Sequence, residues 1–179
     1  MIKVSENLVE LAKAGSVEAF DRLVALHQGQ VFALAYRILG DRDDAADAQQ
    51  ETFVRAWQHL RSFRQDAAFS TWLHRIAVNL CMSAKRRRNC VTYEYQPEHT
   101  DAHSTGSNPD EAAEALRRVL GAMPAHYRVL VVLRDVEGRS FEEIAHILRC
   151  SVGSARARLC RARSILRERM QPYIREEDA

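Results

Sequence analysis

Long apolar runs are missing from this 179-residue chain, whose longest uninterrupted aliphatic stretch is the five residues Val129 to Leu133. Crossing a bilayer takes about 20 apolar residues, so no transmembrane helix is expected. The N-terminal MIKVSENLVELAKAG alternates polar and apolar residues at helical spacing and lacks a basic region followed by an apolar one. It is no secretory signal, and the expected compartment is the cytoplasm. Cysteines are few: Cys81, Cys90, Cys150 and Cys160 form no C-x-x-C pair, so free thiols are expected rather than disulfides. His99 and His103 stand near Cys90, but that segment has no helical period to bring them together, and no metal is expected. Nor is there a phosphate-cradling Gly-rich loop, an H-E-x-x-H motif or a justified Ser, His and Asp grouping. Enzymatic activity, a cofactor and a small-molecule substrate are therefore not expected.

What is present is an uneven distribution of charge. The net charge of +2 divides into three parts. Met1 to Asn89 holds 13 Lys and Arg against 10 Asp and Glu, and Leu116 to Ala179 holds 13 against 8. Between them, Cys90 to Ala115 has 6 acids and no cation. Two basic blocks joined by an acidic segment point to anionic partners for the blocks. The acidic stretch, CVTYEYQPEHTDAHSTGSNPDEA, has the Pro, Ser, Thr, Asn and Asp content of a linker. The expected organisation is an all-α chain of two small helical bundles, residues 1–90 and 112–179, joined by a flexible linker over 91–111.

In the first block, Phe20, Leu23, Val24, His27, Val31, Ala35 and Ile38 recur at helical steps between Gly15-Ser16 and Gly40-Asp41. A second helix is expected from about Arg42 to Leu60, burying Ala45, Gln49, Thr52, Phe53, Ala56, Trp57 and Leu60. Its other face carries Asp43, Asp47, Gln50, Glu51 and Val54. An apolar residue ringed by carboxylates suits a protein-docking surface, and a merely solvated face fits the same pattern. A third helix is expected from near Ser70, burying Leu73, Ile76, Ala77, Leu80 and Ala84 and ending in Lys85 to Arg88. Trp72, Arg75 and Asn79 fall on its opposite face, after a loop containing Phe63, Arg64 and Phe69. Aromatics that stack bases beside cations that track phosphates are the ingredients of single-strand binding, while Trp72 beside Ile76 also fits a core position.

In the second block, helices are expected over Ala112 to Ala122 and Tyr127 to Val136, broken by Pro124. Ser140 and Glu143 then form a capping box ahead of the stripe Phe141, Ile144, Ala145 and Leu148. Arg149-Cys150-Ser151 reads as a tight turn with Ser151 as the next N-cap, completing a helix-turn-helix. In SVGSARARLCRAR, Val152, Ala155, Leu159, Ala162 and Leu166 form the inward face. Ser154, Ala157, Arg158 and Arg161 point outward, flanked by Arg156, Arg163 and Arg167. Only Glu168 offsets the six arginines between Arg156 and Arg169. Such a helix suits the major groove, with Arg158 and Arg161 reaching base edges and Arg156 and Arg163 holding phosphates. A solvated basic helix is the bland alternative.

The segments DAADAQQETFVRAWQHLRSFR, FSTWLHRIAVN and GRSFEEIAHILRCSVGSARARLCRAR, in that order, resemble the extracytoplasmic-function sigma factors of bacterial RNA polymerase, in particular the envelope-stress type. The resemblance implies a sigma region 2 bundle followed by a sigma region 4 bundle. It implies core-polymerase binding, at the clamp, by Asp44, Asp47, Gln50, Glu51 and Val54. It implies that Phe63, Arg64, Phe69, Ser70, Trp72, Arg75 and Asn79 hold the melted minus-ten strand. The second bundle would sit near the polymerase flap and read the duplex minus-thirty-five element through Ser154, Arg156, Ala157, Arg158, Cys160, Arg161 and Arg163. An anti-sigma factor, often membrane-anchored, and a role in a stress response are also implied. Three departures stand out: Gln65 where glycine is common, Ser151 where proline often opens the recognition helix, and Cys160 where an aromatic is usual. Two other readings remain at this point. A two-domain helix-turn-helix regulator would need a self-complementary interface and palindromic half-sites, and an enzyme acting on nucleic acid would need a general base or metal site.

Overall fold

The computed structural model describes residues 2–91 and 109–174, with side chains for 7–88 and 113–173. The residues numbered 92–108, which hold most of the expected linker together with His99 and His103, lie outside the described residues, as do the side chains of Cys90 and Asn89. Eight α-helices make up the described residues: α1 (Ile2–Lys13), α2 (Val17–Leu39), α3 (Arg42–His59), α4 (Phe69–Val91), α5 (Pro109–Ala122), α6 (Ala125–Val131), α7 (Phe141–Leu148) and α8 (Val152–Ile174). A 3-10 turn, Leu60–Ser62, follows α3, and α6 runs on into a π-helical turn, Val132–Val136.

The boundaries follow local chemistry. Ser16 caps α2 by accepting from the Ala19 amide, and Gly40, at φ 78°, ends it with a left-handed residue whose N–H returns to the Tyr36 carbonyl. Asp41 opens α3 by accepting from the amides of Asp43 and Asp44, and those hydrogen bonds hold its carboxyl below the usual range. Ser140 and Glu143 form the reciprocal capping box at α7. Ser151 Oγ accepts from the Ser154 amide at 3.1 Å at the start of α8. Pro124 stands as the N-cap of α6, where its missing N–H costs nothing.

Helices α1 to α4 form the first bundle around Leu23, Leu34, Ile38, Leu60 and Leu73, all fully buried. Helices α5 to α8 form the second around Met123, Leu130, Leu133, Ile144 and Leu159. The bundles touch: α7 packs along α4, and α6 also reaches α2 and α4. Consequently Thr71, Trp72, Leu73 and His74 are four consecutive buried residues at the start of α4.

Several sequence expectations are corrected by this packing. Trp57, expected inside, is 39% exposed and only leans on Phe20, ring to ring at 4.9 Å. Gln49 is half-buried because its amide reaches the Gln28 carbonyl at 2.8 Å rather than a core position. Ile76, Leu80 and Ala84 are half-buried, since the deepest positions of α4 are Leu73, Ala77, Val78 and Cys81. Helix α5 begins at Pro109 rather than Ala112, and the expected Tyr127 to Val136 helix starts at Ala125 and widens into the π turn. Ile147, outside the expected stripe of α7, is 1% exposed because α7 is covered from both α4 and α8.

Replacing Leu73 by Ala removes three carbons from a fully buried site. It is expected to lower unfolding free energy by about 2–5 kcal/mol in urea titrations. Leu116→Ala, at a 38% exposed position, should change it by no more than about 0.5 kcal/mol.

Candidate nucleic-acid interface

In the second bundle, α8 has the inward and outward faces expected from its sequence. Ala155, Leu159 and Ala162 of α8 are buried, with Val152 and Leu166 half-buried beside them, which seats one face of the helix. Arg156, Ala157, Arg158, Cys160, Arg161 and Arg163 are exposed on the rest, and Ser154 is half-buried at the capped end. The turn before α8 is set by Arg149 at φ 50°, with the Cys150 amide donating to the Ala145 carbonyl at 3.0 Å.

The arginines are not equivalent. Arg156 lies over the Phe141 ring, 5.2 Å from its centre, which fixes its stem against α7. Arg163 forks onto Asp135 of the π turn, Nε donating to one carboxylate oxygen at 3.2 Å and Nη2 to the other. Arg158 and Arg161 make no side-chain hydrogen bond or ion pair among the described residues and point to solvent. Two free guanidiniums one helical turn apart, next to two that are pre-positioned, form a basic ridge along α8.

In the first bundle, the aromatic residues of the proposed minus-ten surface sit inside rather than outside. Phe63, Phe69 and Trp72 are 4%, 6% and 6% exposed. Their rings lie 5.0–5.8 Å apart, and His27 closes the group at 5.4 Å from Phe69. Trp72 thus occupies the core position that its spacing also allowed. The cluster anchors the loop between Ser62 and Phe69, and leaves Arg64 and Asn79 exposed with Ser70 and Arg75 half-buried. Burial pushes the His27 imidazole down, toward its neutral form. At the loop tip, Gln65 adopts φ 59°, the left-handed region that favours glycine. Its amide is bonded to Glu10 of α1, a partner that compensates the strained backbone.

The acidic face of α3 is open. Asp47, Gln50 and Val54 are exposed, with Val54 at 50%, while Asp44 and Glu51 are half-buried. Asp44 faces Arg88 at 2.6 Å and Glu51 faces Arg55 at 2.6 Å, so part of this acidity is already balanced within the bundle.

Sequence reasoning missed a polar cluster where the bundles meet. His74 of α4 stands 3.0 Å from Glu137 and 3.2 Å from Arg139, and Thr71 stands 3.2 Å from Glu143. Burial alone would push the Glu143 carboxyl up; hydrogen bonds from the Ser140 amide and Arg139 outweigh it and hold it below the usual range. The capping box was a legible signal for Glu143, but nothing in the spacing of His74 or Glu137 marks them as partners.

Both bundles match family models, Sigma-70 region 2 over residues 23–90 and Sigma-70, region 4 over residues 113–166. The chain is 34% identical over 185 residues to the RNA polymerase sigma-H factor of Pseudomonas aeruginosa PAO1, covering 96% of each. It is 38% identical over 182 residues to the ECF RNA polymerase sigma-E factor of Escherichia coli K12, covering 94% of this chain and 95% of that one. Among solved structures, it resembles CnrH in complex with the cytosolic domain of CnrY, with a TM-score of 0.71 at 30% identity over 94% of this chain and 98% of that one. It also resembles the sigma factor RpoE in complex with the anti-sigma factor NepR from Bartonella quintana, with a TM-score of 0.69 at 26% identity over 87% and 98%.

The cysteines separate by environment, and this can be measured. Burial pushes the Cys81 thiol up to about 12, whereas Cys160 is exposed on α8. Alkylation of the native protein at pH 7.5, followed by mass spectrometry, should modify Cys160 and leave Cys81 unreacted until the chain is unfolded.

Proposed function

The chain belongs to the sigma-70 family, in its extracytoplasmic-function branch, and from that premise we propose how its surfaces share the work of a sigma factor that binds core polymerase and directs promoter-specific initiation. The sigma region 2 unit is assigned to residues 1–90, the linker to 91–111 and the sigma region 4 unit to 112–179. Because the match runs through both bundles, a self-contained helix-turn-helix regulator has no observation in its favour. The role is recognition, with the chemistry left to the polymerase.

The observation that carries the residue assignment is the seated recognition helix. Arg158 and Arg161, exposed and free of internal partners, read base edges of the minus-thirty-five element, helped by Ser154, Ala157 and Cys160. Arg156, braced on Phe141, holds a phosphate. Arg163 reaches one only by exchanging Asp135 for the backbone, so its contribution is tempered by that exchange. In the first bundle, Arg64, Arg75 and Asn79 contact the melted minus-ten strand, and Ser70 with the buried Phe63, Phe69 and Trp72 shapes the loop that presents Arg64 and the start of α4, which carries Arg75 and Asn79. The face of Asp44, Asp47, Gln50, Glu51 and Val54 docks on the polymerase clamp, with the second bundle near the flap. A sigma factor works where its polymerase is, in the cytoplasm, and among the described residues no helix is long and apolar enough to cross a membrane. The two structural relatives in complexes with CnrY and NepR support control by an anti-sigma factor. Membrane anchoring of that partner and a stress-responsive role complete the proposal.

Run-off transcription with purified core polymerase on promoter-bearing templates tests the function. Initiation that depends on this chain is the expected result; tight binding to duplex DNA by the chain alone, with no initiation at any promoter, overturns it. Arg161→Ala should lose about 1–3 kcal/mol of discrimination at one minus-thirty-five base pair, measured by competition between promoter variants. An equal loss on every sequence would make Arg161 a phosphate contact. Lys at both Asp47 and Glu51 should abolish core binding in a pull-down while circular dichroism stays unchanged.

A further inference from the structure

We propose that Asp135, in the π turn after α6, limits how tightly the chain holds DNA of any sequence, by pairing with Arg163 and withholding it from the phosphate backbone. This deepens the sigma-factor reading and rests on it. The pair is a fork made across 28 residues: Nε of Arg163 donates to Oδ2 of Asp135 at 3.2 Å, and Nη2 donates to Oδ1. A planar guanidinium meets a planar carboxylate edge to edge here, and the same edge is what a phosphate takes, so the two anions compete for it. Asp135 pushes the Arg163 guanidinium further above its ordinary range, and the side chain keeps its proton at every working pH. Only a counter-charge can silence it.

The π turn is what places Asp135 there. Over Val132–Val136 the helix widens, and the Glu137 amide closes it by donating to the Val132 carbonyl five residues back at 3.0 Å. Val132 and Leu133 stay buried while Asp135 and Val136 come to the surface. Arg134, one residue before Asp135, lies over the Phe141 ring at 4.8 Å, and the same ring carries Arg156 at 5.2 Å. Two successive residues of the turn thus act on the two flanks of the ridge, with opposite electrostatic effect. The ring face shared by Arg134 and Arg156 braces a cation and leaves its charge in place, whereas the carboxylate of Asp135 cancels one. The side chains of Arg163 and Asp135 are 52% and 30% exposed. A pair so open to water adds little to stability, so the fold does not depend on it.

Its effect falls on affinity. Backbone phosphates are the same in every sequence, so each arginine that reaches one adds attraction without information. Six arginines lie between Arg156 and Arg169, with Glu168 the only acid among them. Were all six unopposed, the ridge would hold arbitrary duplex firmly, and base reading by Arg158 and Arg161 would be a small share of the total. Asp135 takes one cation out of that sum and leaves Arg158 and Arg161 untouched. Arg169 is also engaged, donating to the Ala122 carbonyl at 2.7 Å, but a carbonyl has no net charge and leaves that of the arginine in place. Among the described residues, Asp135 is the carboxylate that stands within ion-pair distance of an arginine of α8.

Fluorescence anisotropy across a salt series, with holoenzyme assembled from core polymerase and the full chain, tests the pair on a promoter duplex and on a random-sequence duplex of equal length. Asp135→Asn keeps the shape of the side chain, removes its charge and should leave circular dichroism unchanged. It is expected to tighten binding to both duplexes alike, by roughly three- to tenfold near 50 mM salt, and to lose about threefold of that gain by 200 mM because one more phosphate is neutralised. In an Arg163→Ala background the same substitution should gain no more than Glu142→Gln, which removes an exposed carboxylate of α7. Unchanged or weaker binding by Asp135→Asn overturns the proposal and makes Asp135 a residue that aims Arg163 at a phosphate. A gain that survives intact without Arg163 overturns it as well, since bulk charge then accounts for the effect. So does a gain confined to the promoter duplex, which would make Arg163 a base contact. If the wild-type holoenzyme shows no preference for promoter over random duplex, the sigma-factor reading fails and the proposal falls with it; a clear preference together with an inert Asp135→Asn sinks the proposal alone.

Discussion

Helix α4 has to bury residues on two sides, and much of the structure is arranged around that demand. Bundles of under 100 residues have modest cores, because surface grows relative to volume as a domain shrinks. The first bundle covers Leu73, Ala77 and Cys81 with its own helices, and the second covers Thr71 and His74 with α7. An apolar face is matched by an apolar core, as burial of carbon requires. The other face is polar, so each buried group on it needs a specific partner. Glu143 shows how few atoms serve both demands: one carboxylate caps α7 through the Ser140 amide, bonds Arg139 and accepts from Thr71 of the other bundle.

The recognition surface depends on the same economy of placement. The π turn after α6 carries Asp135 on the side facing α8 and leads into Glu137 on the side facing α4. Asp135 holds Arg163, while Phe141 braces Arg156 and Arg134 together, so the flanks of the basic ridge are stiff. Its middle, Arg158 and Arg161, is unconstrained, which suits the base-reading role proposed for these side chains. In the first bundle the order is reversed: the aromatics are locked inside, and the polar groups are displayed by the loop and by helix α4 around them.

Much of this was legible before any coordinates. Ser16 and Gly40 bracket α2, the Ser140 and Glu143 box starts α7, and Ala155, Leu159 and Ala162 seat α8, because caps and helical periods are local effects written within a few residues. Trp57 and Trp72 were harder. Both lie where a helical wheel passes from apolar to polar, and only the neighbours decide: Trp57 has Phe20 on one side and solvent on the other, while Trp72 is enclosed by Phe63 and Phe69. Gln65 stands where glycine is common, and its φ of 59° gives the reason.

The sequence by itself determined two helical units, several of their caps, the inward positions of α2 and α8 and the family to which the chain belongs, since all of these reside in spacing and residue type. Tertiary structure alone decided which charges remain free. Arg158, Arg161 and Arg163 are indistinguishable as letters, yet one of the three is bonded to a carboxylate 28 residues away, and His74 meets Glu137 across 63 residues. Pairing between distant polar groups leaves no period in a sequence, because it depends on how whole helices pack and not on the turn to which a residue belongs.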